Sequence, residues 1–175
     1  MDAAHFVLAP FLGYLWCFAR LVLRAPAGRQ RFNVLGALDA VTHELITVSN
    51  DSYINAQSVC ELLRKIAAAG LGVPVTLVLD NARYQKCAIV RDLAQALGIE
   101  LLFLPSYSPN LNLIERFWKF TKNKVLYSKY YPDFLAFKTA ITNCISGAHT
   151  KYKQELDSLL TLRFQTFEKP QSLAA

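Results

Sequence analysis

The sequence predicts a mixed α/β domain whose sheet is antiparallel at one side and parallel at the other. Three observations carry this. Two strand-like stretches, Phe32 to Leu38 (FNVLGAL) and Glu44 to Asn50 (ELITVSN), follow each other closely. Two short apolar runs, Val75 to Leu79 (VTLVL) and Ile99 to Leu104 (IELLFL), flank a helical pattern, and the C-terminal part shows no strand signal. The first pair is joined only by a short polar turn around Thr42-His43, which leaves an antiparallel hairpin as its natural arrangement. The second pair forms a strand–helix–strand unit of continuous apolar strands, the signature of parallel pairing under cover on both faces.

The elements follow in order. Phe6 to Ala19 (FVLAPFLGYLWCFA) carries no charge over fourteen residues. A spanning helix needs roughly 20 apolar residues, and Pro10 and Gly13 interrupt this one. A start of Met1-Asp2 lacks the basic n-region of a signal peptide, so the stretch reads as strand and loop of a soluble core. Arg20 to Arg31 is a basic connection holding Arg20, Arg24, Arg29 and Arg31, with no acid between Asp2 and Asp39. From Ile54 to Ala69, apolar residues at Ile54, Val59, Leu62, Leu63 and Ile66 keep helical spacing and Gly70 ends the run. Ala88 to Leu97 reads as a helix stopped by Gly98. A further helix runs from about Asn112 to Tyr127, and roughly Phe134 to Phe167 is amphipathic and helical. This order fits a ribonuclease H-like mixed sheet of five strands; the leading hairpin fits a doubly wound sheet less well. Residues 1–130 form the expected domain, with 131–175 as its helical extension.

Composition excludes several classes of function. With 53% hydrophobic and 18% charged residues, the chain buries a core and is not a disordered polymer. A net charge of +6 is compatible with a polyanionic partner but does not require one. Cys17, Cys60, Cys87 and Cys144 are scattered, as are His5, His43 and His149, and no CxxC pair is present. A structural zinc site and a disulfide framework are therefore not expected, and the thiols are read as buried and reduced in a cytosol.

The carboxylates carry the chemistry. Asp80 directly follows VTLVL, where α/β sheets present ligands, although a turn or helix cap explains an Asp there equally well. Glu115 lies in PSYSPNLNLIERFW, where Asn112-x-x-Glu115 reads as a capping box and Lys119 offers an i,i+4 ion pair. Asp2 precedes an apolar strand. Asp39 is a rival that its turn explains without chemistry. Together, acids from different elements suit two-metal phosphodiester chemistry, in which oxygen ligands hold two ions about 3.5–4 Å apart. Between Asp80 and Glu115 lie 34 residues, room for a helix, a strand and a loop.

LVLDNARYQ at 77–85, LLFLPSYSPNLNLIERFWKFTK at 101–122, DAAHF at 2–6 and the hairpin RFNVLGALDAVTHELITVSNDSYINA at 31–56 carry a family resemblance. Over roughly residues 2–130 the chain resembles the catalytic domain of DDE-class transposases, in their mariner-like bacterial insertion-sequence branch. The resemblance implies a ribonuclease H-like fold, two Mg²⁺ or Mn²⁺ ions, and cleavage and joining of DNA strands at transposon ends. It maps the catalytic and metal-binding acids onto Asp2, Asp80 and Glu115, and Asp39 drops out. Gln85 departs from the pattern, since many relatives carry a His shortly after the second Asp.

Arg83, Lys86, Arg116, Lys119 and Lys122 lie close in sequence to the later acids and are candidate phosphate contacts, with a solvated helix face as the ordinary alternative. Arg24, Arg29 and Arg31 belong to a basic loop that resembles the family's reach toward DNA or a partner subunit. Trp16, Tyr107 and Trp118 are expected in the core. Such transposases carry an N-terminal helix-turn-helix region, and none precedes Asp2. The expectation is therefore a truncated fragment with a shortened first strand, weak metal binding and little transposition alone. DNA, and a second copy of the chain, are the expected partners, in a prokaryotic cytoplasm without membrane attachment. Two alternatives remain: a catalytically inactive nucleic-acid-binding remnant, and a ribonuclease H-like nuclease outside transposition.

Overall fold

The structure, a computed structural model, describes residues 1–8, 18–19, 30–105 and 108–164. Arg20, Arg24 and Arg29, with Trp16, Cys17 and Tyr107, lie outside them. Strand β1 (Asp2–Leu8) pairs antiparallel with β2 (Gln30–Leu38), which pairs antiparallel with β3 (Leu45–Asn50). After helix α1 (Ala56–Ala68), β4 (Val75–Leu79) and β5 (Ile99–Phe103) pair in parallel around α2 (Ala88–Ala96). Helices α3 (Leu113–Leu126), α4 (Phe134–Ser146) and α5 (Lys153–Leu159) follow. The hairpin, the parallel pair and the helical C-terminal part are as the sequence predicts.

Local chemistry accounts for the boundaries. Asn55 caps α1 in a reciprocal box with Ser58, and Asp133 caps α4 by accepting from the Ala136 amide at 2.7 Å. The hairpin turn is held by Asp39, whose Oδ1 accepts from the Val41 and Thr42 amides at 2.7 Å each. Those bonds, the Thr42 amide foremost, hold the Asp39 carboxyl below its ordinary pKa. Asp39 is a turn residue.

The sheet differs from a continuous five-stranded one. Its strands are hydrogen-bonded as three plus two, β1-β2-β3 and β4-β5. Between β1 and β4 the Met1 nitrogen donates to the Val78 carbonyl at 2.7 Å. β1 starts where β4 ends, so the two overlap too little for a ladder. All seven residues of β1, from Asp2 opposite Gly36 to Leu8 opposite Gln30, have partners in β2.

The sheet separates two apolar cores. Ala4, Phe6 and Leu8 of β1 with Phe32 and Val34 of β2 face α3, α4 and α5. Leu35 and Ala37 of β2 face the other way, toward α1, α2, β4 and β5. The alternation is the two-residue period of a strand, and it places Asp2 on the same face as Ala4 and Phe6, toward α3. Phe6 is fully buried at the centre of that layer. Phe6→Ala is expected to lower unfolding free energy by about 3–5 kcal/mol, read as a drop in the urea midpoint with unchanged slope.

Candidate active site

The three acids sit at the ends of three elements. Asp2 opens β1, with Met1 held against β4 one residue before the strand ends at Leu79. Asp80 is the next residue after β4, exposed, with its Oδ1 only a weak acceptor from the Ala82 amide at 3.4 Å. Asn81 ties the same turn to β5, its side-chain amide donating to the Leu104 carbonyl. Glu115 lies in the first turn of α3, exposed, and among the described residues it forms no ion pair with Lys119.

What places α3 is not the expected capping box. Asn112 occupies the N-cap position, but its side chain does not cap the helix. It is buried, and its Nδ2 donates to the Met1 carbonyl at 3.1 Å, joining the start of α3 to the start of β1. Nearly two turns on, Trp118 lies against Gly36, the residue opposite Asp2 in β2. A Cβ at position 36 would sit 2.9 Å from the Trp118 ring and 3.2 Å from Ile114 Cδ1. Only glycine lets the helix approach the sheet this closely at the level of Asp2.

Electrostatics register the convergence. The Asp2 carboxyl is pushed up to about 7, chiefly by burial, then by the Glu115 charge, with Asp80 adding to the rise and the Ala3 amide opposing it. Tyr84, in the short 3₁₀ turn after β4, is pushed up to about 12 by burial and by the charges of Asp80 and Asp2. The Met1 amine falls to about 6 through burial, with Asp2 and Asp80 pulling the other way. All three acids thus act on one region. Among the described residues, however, no three His, Cys, Asp or Glu side chains stand close enough to close a metal cage. The fit to a divalent cation is one of chemistry: hard carboxylate oxygens, mutually repelling, on three different elements.

The basic residues divide. Lys119 and Lys122 are exposed and follow Glu115 at i+4 and i+7, the same face of α3. Arg83 is exposed next to Asp80, and Lys86 is exposed with its ammonium 5.4 Å from the Phe103 ring centre. Arg116 is otherwise engaged. Its guanidinium donates to the carbonyls of Leu159 (3.3 Å), Thr161 (2.7 Å) and Arg163 (2.7 Å) and lies over the Phe164 ring. It clamps the segment after α5 instead of facing the carboxylates, a role its exposed-looking sequence position did not reveal. Arg31 pairs with Val7, five residues along β1 from Asp2, and so lies about 17 Å from the acids. Gln85 is wholly buried, near the Tyr84 hydroxyl, and its amide reaches no hydrogen-bond geometry with any partner among the described residues. Sequence reasoning missed Gly36, Tyr84 and the true role of Asn112. A Gly inside an apolar strand was the available signal for the first.

The fold is that of the ribonuclease H-like cores of integrases and transposases, with Asp2, Asp80 and Glu115 acting on one region of it. A family described as DDE superfamily endonuclease matches residues 1–138, and the chain belongs to that family. Among solved structures, the Mos1 strand transfer complex is similar with a TM-score of 0.59 and 16% identity over 95% of this chain and 54% of that one. The Mos1 mariner paired end complex with Mn gives 0.58 and 15% over 95% and 56%. The catalytic core domain of BIV integrase gives 0.54 and 17% over 73% and 87%. The chain thus spans about half the length of the Mos1 chains it resembles. No curated protein matches.

Two outcomes follow from this geometry. Gly36→Ala is expected to cost about 1–3 kcal/mol of stability through overpacking against Trp118, measured as a lower urea midpoint. For pH, a carboxyl raised in the folded state adds stability below its unfolded value of 3.8 and loses it as pH climbs through about 7. The stability of the wild type relative to Asp2→Asn should therefore fall between pH 4 and 7 in metal-free urea titrations.

Proposed function

We propose that this chain cleaves and joins DNA strands with the help of two divalent ions, Mg²⁺ or Mn²⁺, held by Asp2, Asp80 and Glu115. The observation that carries the reading is the coupling of Asp2 to both Glu115 and Asp80 across β1, the end of β4 and the start of α3. When bound, such ions activate the attacking oxygen and stabilise the departing one. The protein's own part is position and charge. Asn112 and Gly36 hold Glu115 opposite Asp2, while Arg83, Lys86, Lys119 and Lys122 stand where the flanking phosphates of a strand would pass.

The motifs around Asp80 and Glu115 support assignment to the mariner-like bacterial insertion-sequence branch, acting on transposon ends with a second copy of the chain. A bacterial cytoplasm follows from that assignment. Among the described residues no helix is long and apolar enough to cross a membrane.

A second reading, a nucleic-acid-binding domain without catalysis, is favoured by the open spacing of the three acids. One experiment separates them. The purified chain should nick supercoiled plasmid in the presence of Mn²⁺ or Mg²⁺, and Asp80→Ala should reduce nicking to the level seen with chelator. Equal nicking by the variant would remove the site assignment. Salt-sensitive DNA binding with neither nicking nor Mn²⁺ binding would establish the second reading. Calorimetry adds a readout independent of activity: Mn²⁺ binding should release more protons at pH 6 than at pH 8, because Asp2 must ionise to bind.

A further inference from the structure

A second basic site lies away from the carboxylates. Lys124, near the end of α3, Lys129 in the connection to α4, and Lys151 before α5 surround a cleft of about 390 Å³, together with Asn143, Tyr131 and Tyr152. The cleft occupies the other flank of α3. Nine residues separate Lys124 from Glu115, which at about 100° and 1.5 Å per residue is a half-turn around the helix and roughly 13 Å along it.

The Tyr152 ring organises these charges. The Lys124 and Lys151 ammonium groups stand 5.7 and 5.2 Å from its centre, and the ring packs edge-on against Phe120. Tyr131 is anchored too, its hydroxyl donating to the Val125 carbonyl at 2.7 Å and its ring packed on Phe137. Neither ring is therefore available as a platform for a nucleobase. Lys124 also pairs with Glu155 at 2.9 Å. Among the described residues Lys129 and Lys151 enter no ion pair, and both are exposed. Beneath them the buried Cys144 thiol is pushed up by burial, with the Lys124 and Lys151 charges opposing the rise, so both ammonium groups stand close to the cleft floor. What remains on offer is positive charge and the Asn143 amide around a concave surface, the chemistry of a phosphate contact.

We infer that the cleft bounded by Lys124, Lys129 and Lys151 binds the phosphodiester backbone of a nucleic acid, independently of base sequence and separately from the strand held at the carboxylates. This rests on the reading of the chain as a DNA-acting domain and adds a second contact to it. Binding here needs no divalent ion.

The test is binding of a labelled random-sequence duplex of about 20 base pairs by fluorescence anisotropy, in chelator, across a salt series. Lys129→Gln with Lys151→Gln should weaken binding five- to tenfold and reduce the slope of log affinity against log salt by about 1–2. Lys129→Arg with Lys151→Arg should restore both. The same charge loss on the opposite side of the sheet, Arg64→Gln with Lys65→Gln on α1, should have less than a twofold effect. Unchanged affinity and slope in the cleft variant would overturn the proposal, as would an equal loss in the α1 variant. Inorganic phosphate that shifts the Tyr152 ring resonances, with duplex affinity unaffected by the lysine changes, would mark a small-anion site and overturn it as well. Loss of nicking with lysine-dependent binding intact would remove only the catalytic reading; nicking with normal binding by the cleft variant would remove only this one.

Discussion

The close approach of α3 to the sheet at Gly36 is the constraint on which the candidate site depends. A strand residue without a side chain lets Trp118 and Ile114 lie where any Cβ would intrude. Helix and strand are then drawn together at the register position of Asp2. Asn112 locks the same junction with a hydrogen bond to the Met1 carbonyl. Burial of apolar surface supplies the force, since Ile114, Phe117 and Trp118 are almost wholly removed from water. The helix is set by packing on its inner face, and its outer face carries Glu115 as a consequence.

That placement has an electrostatic cost. Asp2 is partly buried among like charges, so its ionised form is disfavoured near neutrality. Protonation of the Asp2 carboxyl relieves that repulsion, and the relief is lost as pH rises through about 7. Proton uptake and local stability are thereby linked.

The helical C-terminal part extends the same core. Phe137 and Ile141 of α4 and Leu156 of α5 join the layer formed by β1 and α3. Arg116 fastens the following segment through three backbone carbonyls. One side of α3 thus faces the carboxylates with Lys119 and Lys122, while the other builds the lysine-lined cleft with α4 and the turn before α5.

Much of this was legible in the sequence because the relevant signals are local. Periodicity of two or of 3.6 depends only on neighbouring residues, so the hairpin, the β4–α2–β5 unit, α1 and α3 could be read within a few residues of their bounds, whereas α4 and α5 read as one helical stretch. Motif spacing around Asp80 and Glu115 pointed to the acids. The rest depended on contacts between residues far apart in the chain. Asn112 looked like a helix cap because capping is judged from four consecutive residues, whereas its partner is Met1. Arg116 looked like a phosphate contact because its carbonyl partners lie more than forty residues later. Local propensity thus determined which elements form and which residues carry charge. Tertiary packing decided which charges meet, because distance in space is set by the burial of apolar faces and not by position along the chain.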